Sequence, residues 1–251
     1  MAQDKANPKM AVWNQVSTTP VQYTETVHFD GRDITQIDGM YVVMRATELF
    51  GPIGKGWGFD IIEDRFDKGA PLLDKNGEVM AWELMHTLLL KLWYVHAGKR
   101  CYSTQYGHTP FVRKGQYGPY TDFDACKKSL TDAIKKCLSL AGFCADVYLG
   151  MFDDPIYVEG LELKKRLEEA GDADSVLDEA KTEFKEWLSR QISALPRCPN
   201  PRALHLMYQK IMQQARAKAV VVKFNPDDVE ARINEAYEER KAELAKESNG
   251  A

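Results

Sequence analysis

The chain of 251 residues lacks a transmembrane run: its apolar stretch from Leu88 to Val95 is too short to span a bilayer and is interrupted by Lys91. The opening MAQDKANPKM has no apolar segment of the kind a secretory signal carries, so a soluble intracellular protein is expected. Cysteine is sparse. The five, at 101, 126, 137, 144 and 198, are odd in number and include no C-x-x-C pair, which argues against a zinc knuckle or a disulfide framework and fits a reducing compartment. Excess positive charge is also missing, because 33 lysines and arginines stand against 37 acidic residues for a net charge of -4. A nucleic-acid partner therefore requires a local basic patch. Nucleotide chemistry finds no support: GPIGKGWG has the wrong spacing for a phosphate-binding loop and no Ser or Thr follows its lysine. The five histidines show no four-residue pair that would seat a metal on one helix face, and neither cofactor nor metal is expected. There is no internal repeat and no low-complexity segment.

What is present divides in two. Residues 1 to 33 are polar, with Pro8 and Pro20, and read as a loosely held arm whose VQYTETVHF stretch can pair as a strand. Ile37, Met40, Tyr41, Met44 and Leu49 recur at helical spacing and Gly51-Pro52 ends the run, predicting a helix over about 37 to 50. The period then falls to two at Trp57, Phe59 and Ile61, and KGAPLLDKNGE supplies a turn before the extended MAWELMHTLLLKLWYV. His96 to Lys99 forms a hairpin turn into CYSTQYG, giving an antiparallel meander of three to four strands. Thr121 to Asp124 resembles a capping box opening a helix over about 122 to 141, with Phe123, Cys126, Leu130, Ile134, Cys137 and Ala141 facing the sheet and Gly142 as the stop. From Asp153-Asp154-Pro155 onward the residues are helix formers in charged amphipathic runs, broken at Gly171 and at Pro196 to Pro201. Asn225-Pro226 opens a last helix over about 226 to 246, and the tail SNGA is expected to be disordered. The fold class is thus α+β: a bent antiparallel meander braced by a long helix over residues 1–155, then a helical region over 156–251.

Charge is distributed unevenly along this frame. Between Lys91 and Lys136 nine basic residues face three acidic ones, a local +6 in an acidic chain. Lys128 and Lys135 are seven residues apart and point the same way on the long helix, with Ser139 in line and Lys136 beside them. Lysines so aligned release counterions from a phosphate backbone and bind without reading sequence. The segment CYSTQYGHTPFVRKGQYGPYTDF interleaves Tyr102, Tyr106, Phe111, Tyr117 and Tyr120 with Arg113 and Lys114, the mixture of aromatic faces and cations that single-strand binding uses. A solvated helix face and ordinary core packing explain the same residues without any ligand.

Two blocks, RATELFGPIGKGWGFDI and TDFDACKKSLTDAIKKCLSLAGFCADVYLG, resemble the annealing domain of phage single-strand annealing proteins of the Sak type. They are similar also to the N-terminal domain of the eukaryotic annealing mediator of double-strand-break repair. The resemblance covers about residues 25 to 155 and leaves the helical third outside. It implies a bent sheet braced by the long helix, and homo-oligomers that form rings or helical filaments around a basic groove. Its groove lysine and arginine pair falls on Lys135 and Lys136, while a further family arginine falls on Ser139, a departure. The family's arginine near the first helix aligns at about Tyr41, with Arg45 one turn on as the substitute. Lys99 and Arg100 at the hairpin tip, with Arg113 and Lys114 in the following loop, match its second, outer DNA site.

The resulting expectation is sequence-independent binding of single-stranded DNA and ATP-independent annealing of complementary strands in recombination, with no bond broken. The partners are single-stranded DNA, the annealed duplex, further copies of the chain, and by resemblance a phage exonuclease and the host single-strand binding protein. Two alternatives stay open. One is a single-strand binder that does not anneal; the other is a metal-dependent nuclease built on Asp60, Glu63 and Asp64, or on Asp153, Asp154, Glu162 and Lys164.

Overall fold

A computed structural model describes residues 7–29 and 31–249. The chain forms two compact units, residues 1–151 and 152–251, the division falling four residues before the one read from composition. It is α+β, as expected, with a curled antiparallel meander in the first unit and helices alone in the second. No helix among the described residues is long and apolar enough to cross a membrane.

The first unit begins with helix α1 (Ala11–Val16), which is docked instead of loosely held. Val16 is buried, its carbonyl accepts from the Cys144 amide at 2.9 Å, and the Thr19 amide and hydroxyl both donate to Asp146 at 2.6 Å. Polarity of composition conceals this, because the anchors are backbone groups and one threonine. Strand β1 (Thr24–Phe29), expected in VQYTETVHF, pairs with β2 (Arg32–Ile37), a strand that the sequence pattern did not reveal. Helix α2 (Gly39–Phe50) follows. It is capped by the Asp38 side chain, which accepts from the Met40 amide at 2.8 Å, and ended by Gly51 at φ 97.

The meander consists of β3 (Trp57–Leu73), β4 (Val79–His96), β5 (Lys99–Gly115) and the short β6 (Gly118–Thr121), hydrogen-bonded in that order. Ala97 and Gly98 both take positive φ, so the β4–β5 connection is the two-residue turn whose twist matches its strands. Register shifts between Ile61 and Glu63, between Lys68 and Pro71, and at Leu84/Met85 bend the strands, as bulges do. Strand β5 runs through Pro110 to Gly115, so Arg113 and Lys114 lie in a strand and not in a loop. On one face His86, Leu88, Leu90 and Leu92 alternate into the core beneath helix α3 (Ala125–Ser139).

That helix starts later and keeps only part of the predicted face: Leu130, Ile134, Cys137 and Ala141 pack into the core. Thr121 ends β6, and it is the Asp122 carboxylate that accepts from the Asp124 amide at 3.0 Å. Phe123 is 86% exposed and Cys126 is exposed, whereas Ala125, Ser129, Ala133, Ile134, Cys137 and Leu138 are buried. The cause is a close approach at Gly107, where an added Cβ would stand 2.0 Å from the Ser129 carbonyl oxygen. Only small residues fit a helix laid that near a strand.

The short α4 (Ala145–Tyr148) completes the first unit. The second contains α5 (Pro155–Glu169), α6 (Ala173–Ile192), α7 (Pro201–Val221) and α8 (Pro226–Asn249) around Leu163, Phe184, Leu188, Leu204, Ile211 and Ile233. Three helices open with proline after a side-chain cap: Asp154, Asn200 and Asn225 each accept from an amide two or three residues on. Of the expected disordered tail, Ser248 and Asn249 belong to α8, and Gly250 and Ala251 lie outside the described residues.

Candidate nucleic-acid interface

The lysines of α3 stand where the 3.6-residue period puts them, but most already hold a carboxylate. Lys127 pairs with Asp124 at 2.9 Å, Lys128 with Asp122 at 2.5 Å and Lys136 with Asp132 at 2.7 Å. The three acidic residues of the basic stretch thus lie against three of its lysines. These bonds hold Lys127 and Lys128 above the usual lysine range and Asp122 below the usual carboxylate range. Lys135 instead donates to the Ile37 carbonyl at 3.4 Å and lines a cleft with Tyr23, Gln36, Asp38, Gly39 and Thr131. Ser139 donates back to the Lys136 carbonyl at 2.9 Å.

The position taken by the resemblance for a DNA-binding arginine is core. Tyr41 is 5% exposed and stacks on Tyr23 with centroids 4.3 Å apart, and burial pushes its phenol up to about 12. Arg45 turns to the protein, donating to the Gln15 carbonyl at 2.8 Å and pairing with Glu48.

Of the remaining candidates, alternation puts Lys99, across from His96, and Lys114 on the α3 side of the sheet, whereas Arg100, Tyr106 and Arg113 belong to the face opposite α3. Direct cross-strand partners share a face, so the pairs Trp93–Tyr102, Lys91–Thr104, Leu89–Tyr106 and Thr87–His108 all lie on this uncovered side. Trp93 is placed by Gly58, whose missing side chain leaves room for the indole: an added Cβ would come within 2.7 Å of it. Arg100 sits over the Trp93 ring at 4.1 Å and Lys91 over the Tyr102 ring at 4.6 Å. Tyr106 and His108 stack at 5.6 Å, and Arg113 stands 5.4 Å over Tyr120. Tyr102 and Tyr106 are 54% and 40% exposed, enough to offer a ring face to a ligand. Lys99 and Arg100 are separated from Arg113 and Lys114 by most of β5, about 40 Å of extended chain, so the structure does not bring these two pairs together.

Sequence reasoning found Tyr106, Tyr102 and the cations one by one, and missed Trp93 and His108. Their signal was present: Arg100, Tyr102, Thr104, Tyr106 and His108 alternate at two-residue steps, visible once β5 is read as a single long strand.

The nuclease alternative meets the same alternation. Glu63 and Asp60 lie on the uncovered face, whereas Asp64 is on the helix side, hydrogen-bonded to buried His86 at 2.9 Å. In the second unit Asp154 is spent as a helix cap. Among the described residues no group of three His, Cys, Asp or Glu side chains converges as a metal site would require. Comparison with protein-family models, with curated proteins and with solved structures found no match to this chain.

Proposed function

We propose that this chain binds single-stranded DNA without sequence preference and anneals complementary strands without ATP, breaking no bond. The observation that carries the reading is the row of cation-covered aromatic rings along β4 and β5: Arg100 on Trp93, Lys91 on Tyr102, then Tyr106 with His108. Every base has a π-face, so such rings accept any sequence, and the cations meet the phosphates. Successive outward residues on a strand are about 6.7 Å apart, roughly twice the 3.4 Å rise of stacked bases. A strand laid on the row is therefore held extended, its bases parted from one another. Stacking occupies the ring faces and leaves the pairing edges open, which favours annealing over simple coverage. The free energy of the product then comes from base pairing, and the protein lowers the search cost by removing hairpins and charge repulsion.

The lysines of α3, Lys135 foremost, form a second track for phosphates in this proposal. Copies of the chain acting in series extend the site, since one module of this kind covers roughly 4 to 16 nucleotides. The resemblance adds a bacterial host cytoplasm as the setting, with a phage exonuclease and the host single-strand binding protein as partners.

The test compares the unmodified chain with Tyr102→Ala/Tyr106→Ala in two assays, oligonucleotide affinity and the rate at which two complementary oligonucleotides pair. Each lost stack costs about 1–3 kcal/mol, so affinity should fall at least about tenfold for any sequence. Unchanged affinity removes the reading. Tight binding by the unmodified chain that slows pairing would favour a plain single-strand binder.

A further inference from the structure

The uncovered face of the meander is divided by charge, strand by strand. Its cations, Lys91, Arg100 and Arg113, belong to β4 and β5 and lean over aromatic rings. Along β3 the register puts Asp60, Glu63 and Asp67 on the same face, and alternation from Met85 adds Glu83 at the start of β4. Arg65 is the one cation of that row, and it pairs with both Glu63 and Asp67. The row thus has four carboxylates to one guanidinium. Lys91 is the direct cross-strand partner of Asp60, yet its ammonium is drawn 4.6 Å from the Tyr102 ring on the opposite side, leaving Asp60 uncompensated by it.

We propose that this carboxylate row makes the face selective for single strands, admitting one strand and expelling a duplex. The inference rests on the single-strand reading above. The β3 row stands two strand spacings, about 10 Å, from the rings of β5. In B-DNA the two backbones are separated across grooves of about 6 and 12 Å. When one backbone follows the cations of β4 and β5, the other is carried over the carboxylates of β3. At physiological salt charges are screened over about 8 Å, too weakly to cancel repulsion at contact distance. A lone flexible strand keeps its phosphates on the cationic side and meets none of this. For an annealing protein the consequence is release: pairing on the face creates the product that the face repels.

The experiment uses the full chain carrying Asp60→Asn, Glu63→Gln and Glu83→Gln, with Asp67 left in place because it holds Thr87 and Arg65. Affinities for an oligothymidine and for a blunt duplex of equal length are measured at physiological salt. The expected result is a gain of at least about fivefold for the duplex with less than about a twofold change for the single strand. An unchanged ratio of the two affinities overturns the carboxylate role while single-strand binding stands, and so does a parallel rise in both. If the unmodified chain binds neither, the proposed function falls and takes this inference with it.

Discussion

A lysine that already holds a carboxylate reaches for phosphate at the expense of that bond, so the cations of α3 are not equivalent. Lys136 has Asp132 one turn back, whereas Lys135 donates to the Ile37 carbonyl. If both track phosphates, Lys135→Ala/Lys136→Ala should flatten the salt dependence of single-strand binding by about 1.4, at about 0.7 per phosphate, and weaken binding on every sequence alike. The fitting control is Lys164→Ala/Lys165→Ala, since those lysines also stand one turn from glutamates, Glu168 and Glu169. Neither change should cost more than about 0.5 kcal/mol of stability, because exposed pairs contribute little. Equal slopes for the two doubles would move the phosphate track off α3. Buried groups give a second residue-scale expectation, read against pH. Burial pushes Cys144 up to about 11 and Tyr41 up to about 12, so the unfolded chain ionises both at lower pH than the folded one. Their stabilising contribution is complete below the ordinary thiol value of 9.0 and is lost as pH rises through 11 and 12. Urea titrations across that range should show the decline, with a shallower onset in Cys144→Ala.

At the scale of elements, the tightest contact of the first unit is α3 lying on Gly107. Gly107→Ala would drive a methyl to 2.0 Å from the Ser129 carbonyl oxygen, which backbone cannot yield cheaply. A loss of about 3 kcal/mol is expected in a urea titration, and a loss below about 1 kcal/mol would mean the helix is free to lift. This contact also explains what the sequence could and could not convey. Local chemistry was legible: Gly51 ends α2, Ala97-Gly98 turns β4 into β5, Asp154-Pro155 opens the helical region and Asn225-Pro226 its last helix. The inward face of α3 was legible only in part, at Leu130, Ile134, Cys137 and Ala141, because large residues such as Phe123 mark a core face only until tertiary packing demands small ones. Strand β1 was legible in VQYTETVHF but its partner β2 was not, and β5 was cut short because glycine and proline at 107 and 110 read as a loop. The candidate cations were legible singly. Their carboxylate partners, and the face shared by Trp93, Tyr102 and Tyr106, are properties of register and had to await the sheet.

The molecule as a whole leaves two unlike strand edges open. Among the described residues strand β3 is laddered with β4 alone, so beyond the bridge from Ile53 to Trp57 one side of it presents unpaired backbone groups, and Ile61, Ile62 and Phe66 along it are 49%, 53% and 47% exposed. At the other side of the sheet β6 covers only Val112 to Gly115 of β5, the Phe111 carbonyl accepts from the Asp122 amide and the His108 amide donates to Asp132, leaving the edge open from Lys99 to Gly107 among the described residues. A long strand edge without a partner is a template for another chain. Because the two edges differ, joining one to the other is a head-to-tail contact, which closes into rings or runs on as a helix. Residues 1–154 retain both edges and every cation of the proposed interface. The helical unit, with 18 acidic and 16 basic residues over 157–251, adds no basic surplus. Truncation after Asp154 should therefore spare assembly and oligonucleotide annealing and impair recombination in cells, where partner contacts count. Ile62→Lys, which puts a charge on the β3 edge, should shift light scattering toward single chains and slow annealing in proportion. A full-length chain that scatters as a monomer with and without oligonucleotide would end the argument for assembly, and would confine each binding event to the few nucleotides one sheet can hold.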